Sequence, residues 1–296
     1  MRGIHRRAFL KTASISLGGA AMLNSASWLV AEPLGLPIGL QLYSVRDLLP
    51  KDYEGTLRQL AALGYREVEA AGFFGRSARD VKQTMDRVGL RCVSGHYSLD
   101  ELRSEQTIQY AKDLGLDYMV CPSPMKNPAR KKSSGSGDDL TLDDWRWNAE
   151  QFNQVGDRVH AAGMHFAYHN HTGEFGSENG VIFYDELLRL TDPAKVSMQM
   201  DCGWVVVAGK NPIDYLTRYP KRISMFHVKD FKLSEGNKKT EPVSAELGRG
   251  SIDYRPIFEA AKKAEIKHMF VEQEDYDKPA LDSLKISAEY MRSMKV

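Results

Sequence analysis

Short apolar runs alternate with longer amphipathic stretches along most of this chain. Residues 38–43, 67–70, 91–94, 118–121, 165–169, 196–201, 224–228 and 269–272 are brief and apolar-rich, the pattern of buried strands. Between and after them, residues 53–63, 78–88, 104–114, 142–162, 183–190, 213–219, 254–264 and 279–294 carry apolar side chains at helical spacing. Leu63-Gly64, Val88-Gly89, Leu114-Gly115 and Ala162-Gly163 each place glycine where a helix ends and the next strand begins. Strictly alternating strands and helices imply a parallel sheet. Eight such units in a chain of this size predict a closed (β/α)8 TIM barrel. An open doubly wound sheet needs a glycine-rich turn after its first strand. Ser44-Val45-Arg46-Asp47-Leu48 stands there instead.

Three segments break the pattern. Residues 1–31 open with Arg6-Arg7-Ala8-Phe9-Leu10-Lys11 and continue as a mildly apolar stretch rich in Gly, Ala and Ser. This resembles a twin-arginine export signal, too short and too weakly apolar for a membrane span. Small residues at Ser25-Ala26-Ser27 or Val30-Ala31 suit cleavage, and no cysteine lies nearby for a lipid anchor. The expectation is an exported, periplasmic protein whose barrel occupies 32–296, with no stable membrane anchor. Residues 126–139, with Arg130-Lys131-Lys132, form a polar insertion after the fourth strand. A second insertion spans roughly 232–247. Both fall on the rim where barrel strands end, as lids over a site do.

Composition narrows the field. The 296 residues are 42% hydrophobic and 27% charged, with a net charge of +1. Removing the basic leader leaves a slightly acidic chain, with no field for nucleic acid. Cys92, Cys121 and Cys202 lack metal or redox spacing and read as small buried residues.

Catalytic groups of such a barrel project from the C-terminal ends of strands. His169 and His171 end the fifth strand, Asp201 the sixth, His227, Lys229 and Asp230 the seventh, and Glu272 and Glu274 the eighth. Side chains alternate between faces. His169 and His171 therefore share a face, as do His227 and Lys229, with Asp230 turned away to orient a neighbouring helix or loop. His169, Asp201, His227 and Glu272 converge from four consecutive strands. Two imidazoles with two carboxylates suit one divalent cation, Mn2+, Zn2+, Fe2+ or Co2+.

Leu40-Gln41-Leu42-Tyr43-Ser44-Val45-Arg46, His169-Asn170-His171, the Asp201-x-Gly203-Trp204 turn and His227-Val228-Lys229-Asp230 resemble the sugar phosphate isomerase/epimerase family of xylose isomerase-like barrels. The resemblance covers about residues 36–294. It implies one divalent cation bound through Glu, Asp, His and Glu on strands five to eight. Asp201, His227 and Glu272 match the last three positions, and His169 stands where the first Glu is usual. The family's sugar epimerases also use the first and last Glu to move protons on opposite faces of an ene-diolate, so this replacement disturbs a two-carboxylate mechanism. Glu174, in the loop beyond, is the other candidate for the first ligand. Trp204 stands where a substrate-binding His is usual, and suits the face of a sugar ring. The related endonuclease barrels need more aligned histidines than this chain supplies.

These residues support carbonyl activation, with a cation stabilising the enolate formed when a neighbouring C–H is deprotonated. Glu272, Glu174 and Lys229 are the candidate bases; a lysine beside a 2+ ion is expected to be neutral. His171, His96, Glu69 and Trp204 are the expected substrate contacts. The expected function is a sugar or keto-sugar isomerase/epimerase. The alternatives are a lyase or hydrolase of 3-keto-glycosides and a non-catalytic carbohydrate-binding barrel. The expected partner is a small carbohydrate substrate, and the sequence leaves the oligomeric state open.

Overall fold

The computed structural model describes residues 33–129, 140–233 and 242–295. The expected leader, the basic tip of the first insertion and the middle of the second lie outside the described residues. Eight strands carry the architecture: β1 (Ile38–Gln41), β2 (Glu67–Ala70), β3 (Arg91–His96), β4 (Tyr118–Cys121), β5 (His165–His169), β6 (Val196–Asp201), β7 (Ile223–Val228) and β8 (His268–Val271). They close into a barrel in the order β1-β8-β7-β6-β5-β4-β3-β2, every neighbouring pair parallel. The TIM barrel read from the alternation is the observed fold.

The outer ring consists of α1 (Tyr53–Leu63), α2 (Ala78–Val88), α3 (Glu105–Leu114), α4 (Leu142–Ala161), α5 (Phe183–Leu190), α6 (Pro212–Arg218), α7 (Tyr254–Ala261) and α8 (Ala280–Ser293). Local chemistry sets their ends. The Ser77 and Ser104 side chains accept the N–H of Asp80 and Thr107 at the starts of α2 and α3. Thr141 and Asp144 form a reciprocal capping box on α4. Gly64 and Gly89 end α1 and α2 in the left-handed region, at φ 101° and 77°. Apolar side chains between the strands and this ring, such as Leu40, Val68, Met119 and Phe226, have almost no exposure. Among the described residues, no helix is long and apolar enough to cross a membrane.

Inside the barrel, Val93, Tyr118, Val120, Ala167, Met225 and Phe270 form a small separate apolar cluster. Strand parity places it in the middle layer. On β8, Phe270 lies between inward His268 and the Glu272 position; on β5, Ala167 lies between His165 and His169. Polar residues therefore occupy both ends of the interior, with an apolar plug between.

Four local features depart from expectation. β1 stops at Gln41, whose side-chain oxygen accepts the Tyr43 N–H at 3.0 Å and starts a 3-10 turn over Leu42–Val45. Asp201 ends β6 and also caps a short helix, Cys202–Val207. A Cβ on Gly203 in that turn would stand 2.3 Å from the Lys229 carbonyl, so only glycine allows this close approach to β7. Asn179 and Gly180, both at positive φ, join Ser177–Glu178 to Val181–Ile182 as a tight hairpin. The described part of the second insertion is another hairpin, Asp230–Lys232 with Val243–Ala245.

Candidate active site

Register delivers the four sequence-predicted ligands to one place. His169 on β5 pairs with Gln199 on β6, and Asp201 with His227 on β7. Glu272 follows β8 directly. All four are buried, and one potential ligand atom from each lies within 4.8 Å of the others.

Asp201 gives the sharpest test of whether a cation fits. Its Oδ1 accepts the Trp204 N–H at 2.9 Å as the helix cap. Its Oδ2 is buried with no hydrogen-bond partner. Burial raises the pKa of this carboxyl to about 7, against the lowering influence of Lys229 and His227. An orphaned carboxylate oxygen is costly unless something positive meets it. Two imidazoles and a second carboxylate around that oxygen form a donor set suited to a divalent ion.

The network beneath fixes both imidazoles. Glu69, with no exposure, accepts from Gln41 Nε2 (2.7 Å), Ser94 Oγ (2.6 Å), Gln199 Nε2 (2.7 Å) and His227 Nε2 (2.7 Å), and meets His96 Nε2 at 2.8 Å. Holding His227 by Nε2 leaves Nδ1 turned to Glu272 Oε2 at 2.8 Å. Gln199 Oε1 meets His169 Nδ1 at 3.0 Å, leaving Nε2 of that ring for the cluster. Electrostatics follow this geometry. Burial opposes charge on His227, yet Glu272 and Glu69 push its pKa up to about 10. Burial and the neighbouring histidines hold His169 well below the usual imidazole range, so it is neutral. Burial also opposes charge on Glu69, but His96 and His227 outweigh it and keep the carboxylate ionised.

Several expectations change here. Glu69 is not a sugar contact; it is closed in by five side chains and positions His227. Glu174 is neither base nor first ligand. It is buried, with Oε1 on the Tyr168 hydroxyl at 2.5 Å and Oε2 on the His171 N–H at 3.0 Å, and it pins the His171 loop. Lys229, expected to be neutral beside a cation, is charged in the cation-free structure. Burial disfavours its charge, but Glu272, Asp201 and Glu274 raise its pKa to about 12. It makes a short ion pair with Glu274 and lies 3.5 Å from Glu272. Trp204 does not offer its ring to a sugar: Lys229 Nζ lies 4.8 Å from the ring centre, and Phe231 packs at 4.5 Å. Asp230 does face away, accepting the N–H groups of Phe231, Gly248, Gly250 and Ile252.

Strand parity placed His171 one pleat beyond His169, but β5 ends at His169 and His171 lies in the following loop. The rings still stand 4.8 Å apart. His171 and His96 both line a cavity of about 440 Å3 at the C-terminal rim, with Tyr43, His169, Glu272 and Glu274. Burial and the Lys229 charge lower the His171 pKa to about 4. Among the described residues its ring has contacts with His169 and Trp204 but no hydrogen bond. Sequence reasoning missed the positioning roles of Gln41, Ser94 and Gln199. Their inward parity on β1, β3 and β6 was the available signal.

An eight-stranded barrel with a buried His/Asp/Glu cluster on its C-terminal rim is an enzyme architecture. The chain belongs to the xylose isomerase-like TIM barrel family, which it matches over residues 57–294. The inosose dehydratase of Lacticaseibacillus casei is 25% identical over 235 residues, covering 72% of this chain and 78% of that protein. The inosose dehydratase of Geobacillus thermodenitrificans (strain NG80-2) is 26% identical over 256 residues, 77% and 84% of the two chains. A crystal structure of a sugar phosphate isomerase/epimerase from Parabacteroides distasonis superposes with a TM-score of 0.69 at 27% identity, covering 86% of this chain and 97% of that one.

Proposed function

We propose that this barrel is a cation-dependent lyase of keto-sugars. It removes a proton beside a ring carbonyl and expels the substituent from the next carbon. His169, Asp201, His227 and Glu272 are the proposed ligands. A divalent cation held there supplies Lewis-acid stabilisation of the negative charge that develops on the carbonyl oxygen.

The observation that carries the lyase reading is His171. It lines the cavity, and among the described residues neither ring nitrogen makes a hydrogen bond, which leaves the imidazole free to meet a substrate proton. One imidazole can take the proton from carbon and return it to the departing oxygen on the same face. The other titratable groups are committed elsewhere. His227 is held by Glu69, and Lys229 pairs with Glu272 and Glu274 on the β8 side, across the barrel from β4. An epimerase needs matched acid–base groups on two faces of the substrate. Here an imidazole faces a carboxylate–lysine cluster, and His169 replaces the first carboxylate. The dehydratase relatives support elimination as the reaction class.

No arginine or lysine lines the cavity among the described residues. With the export expected from residues 1–31, this favours a substrate without phosphate. A second reading, epimerisation through the same enolate, draws on the isomerase/epimerase relative.

Incubation of cation-loaded protein in D2O with a 3-keto-glucoside and with an inosose separates these readings. Enone formation with release of the aglycone or water is expected. A deuterated epimer without enone would select the isomerase reading. Neither exchange nor elimination would overturn both.

A further inference from the structure

Past His171 the rim holds a second cavity, of about 660 Å3. His171 lines both cavities. Pro122 and Ser123 line the first, and Pro124 the second. The walls of the second come from Leu140, the start of α4 through Trp145, the Gly173–Phe175 turn, the Ser177–Ile182 hairpin and Phe183.

These walls are built structures. The Asn179-Gly180 turn closes the hairpin, and Glu178 Oε2 accepts the Leu142 N–H at 2.7 Å, fastening it to α4. Glu174 is tied to Tyr168 and His171. Trp145 and Phe183 stack at 5.6 Å with 17° between the rings. Trp145 is 2% exposed, and its indole N–H is buried without a partner. Buried indole N–H groups ordinarily find an acceptor.

We propose that this second cavity is the leaving-group subsite and that its occupant is an aryl aglycone. The proposal rests on the lyase reading above and names its substrate class, an aryl 3-keto-glycoside. A departing water, as in a dehydratase, needs no such volume. A second sugar needs many polar partners, whereas Glu174 and Glu178 are already engaged and the walls are mainly carbon. An aryl group gains from apolar and aromatic walls, which Leu140, Trp145 and Phe183 supply. The sugar ring lies on the ligand side of His171 and the aryl group on the other, with the scissile bond at the imidazole. The C–H bond at the carbon between carbonyl and anomeric centre breaks, and His171 takes its proton. The anomeric C–O bond then breaks with its electron pair going to oxygen, a C=C bond forms, and the phenolate oxygen takes the proton from His171. Nothing is oxidised or reduced overall.

The test compares 4-nitrophenyl and methyl 3-keto-glucosides with the cation-loaded full chain. Nitrophenolate leaves more readily than methoxide regardless of binding. The readout is therefore how the aryl-to-methyl ratio of kcat/KM changes between wild type and Ser177→Trp, which fills the second cavity from the exposed hairpin. A tenfold or greater fall in the ratio, carried by a higher KM for the aryl substrate, is expected. Gly173→Phe fills the same space from the other wall, where a Cβ meets no atom within 4 Å. It is expected to act the same way. An unchanged ratio in whichever variants fold overturns the subsite. Turnover of inososes with neither glycoside cleaved also overturns it but leaves the lyase reading standing. Failure of every ketone to exchange or eliminate removes the lyase reading and this inference with it.

Discussion

The two ends of the barrel interior hold the same chemical pair in opposite states. Glu67 and Glu69 leave one face of β2 a pleat apart, and each meets a histidine from another strand. At the N-terminal end, Glu67 Oε2 meets His268 Nδ1 at 2.7 Å. Asp117 lies 3.7 Å from the other nitrogen of that ring, and Arg91 bridges Asp117 at 2.5 Å and Glu67 at 3.6 Å. None of these four side chains has an orphaned buried polar atom. At the C-terminal end, Glu69 and Glu272 hold His227, but Asp201 Oδ2 beside them is buried and unpaired, and a cavity opens above. A buried His–carboxylate pair is thus not a functional signature in itself. What separates the ends is an uncommitted electron pair next to open space.

The substitution that breaks this comparison most directly is Asp201→Asn. Asparagine keeps a side-chain oxygen for the Trp204 N–H and removes the orphaned charge. The metal-free fold is expected to keep or gain stability. Stoichiometric cation is expected to disappear from elemental analysis, and turnover to fall by more than the roughly 100-fold upper range for losing an outer-shell partner. Full cation content and activity in this variant would erase the distinction between the ends.

Glu69→Gln and Glu67→Gln form the next pair, the same change a pleat apart. Glu69→Gln loosens His227 and is expected to weaken cation affinity by roughly 10- to 100-fold in direct titration. Glu67→Gln leaves His268 and Arg91 short of a carboxylate and is expected to cost about 1–3 kcal/mol in denaturant unfolding. Its cation affinity and kcat should match wild type. If Glu67→Gln also weakens the cation, the apolar plug does not insulate the two ends.

The fold was legible because its signal is periodic and repeated. The strand cores and the bounds of α5 follow from apolar spacing, and those of α1 and α2 from that spacing with Asp, Ser and Gly at the ends. The ligand cluster was legible for a related reason: strand parity and one residue per consecutive strand are geometric facts in any barrel. The roles of the remaining polar residues were not. Glu174 and Glu69 differ from an open-cavity carboxylate only in their partners, and Tyr168, Ser94 and Gln41 lie far from them in sequence or were unremarked on their strands. Lys229 was read against an ion alone, without the Glu274 carboxylate that keeps it charged. The second cavity had a local clue, Asn179-Gly180, whose hairpin builds one wall.

The smallest expected effect, and the finest test of the comparison, is the pH dependence of cation stabilisation. In the metal-free fold Asp201 titrates near 7, above the ordinary 3.8, because burial penalises its charge. The folded state then binds more protons than the unfolded chain between about pH 4 and 7, so this group's contribution to stability falls as pH rises through that window. His227, raised to about 10 by Glu272 and Glu69, contributes stability fully present below about 6.5 and lost as pH rises through 10. A cation needs Asp201 ionised and the His227 Nδ1 lone pair free, so binding at pH 7 must displace protons. The cation-induced rise in Tm is therefore expected to grow as pH rises through 7 toward 10, and to shrink by a few degrees as pH falls through 7. Proton release should appear when calorimetric titrations are compared in buffers of different ionisation enthalpy. Glu67→Gln, at the closed end, should leave this profile in place. A profile flat from pH 5 to 8 would mean that Asp201 is not the group a cation meets.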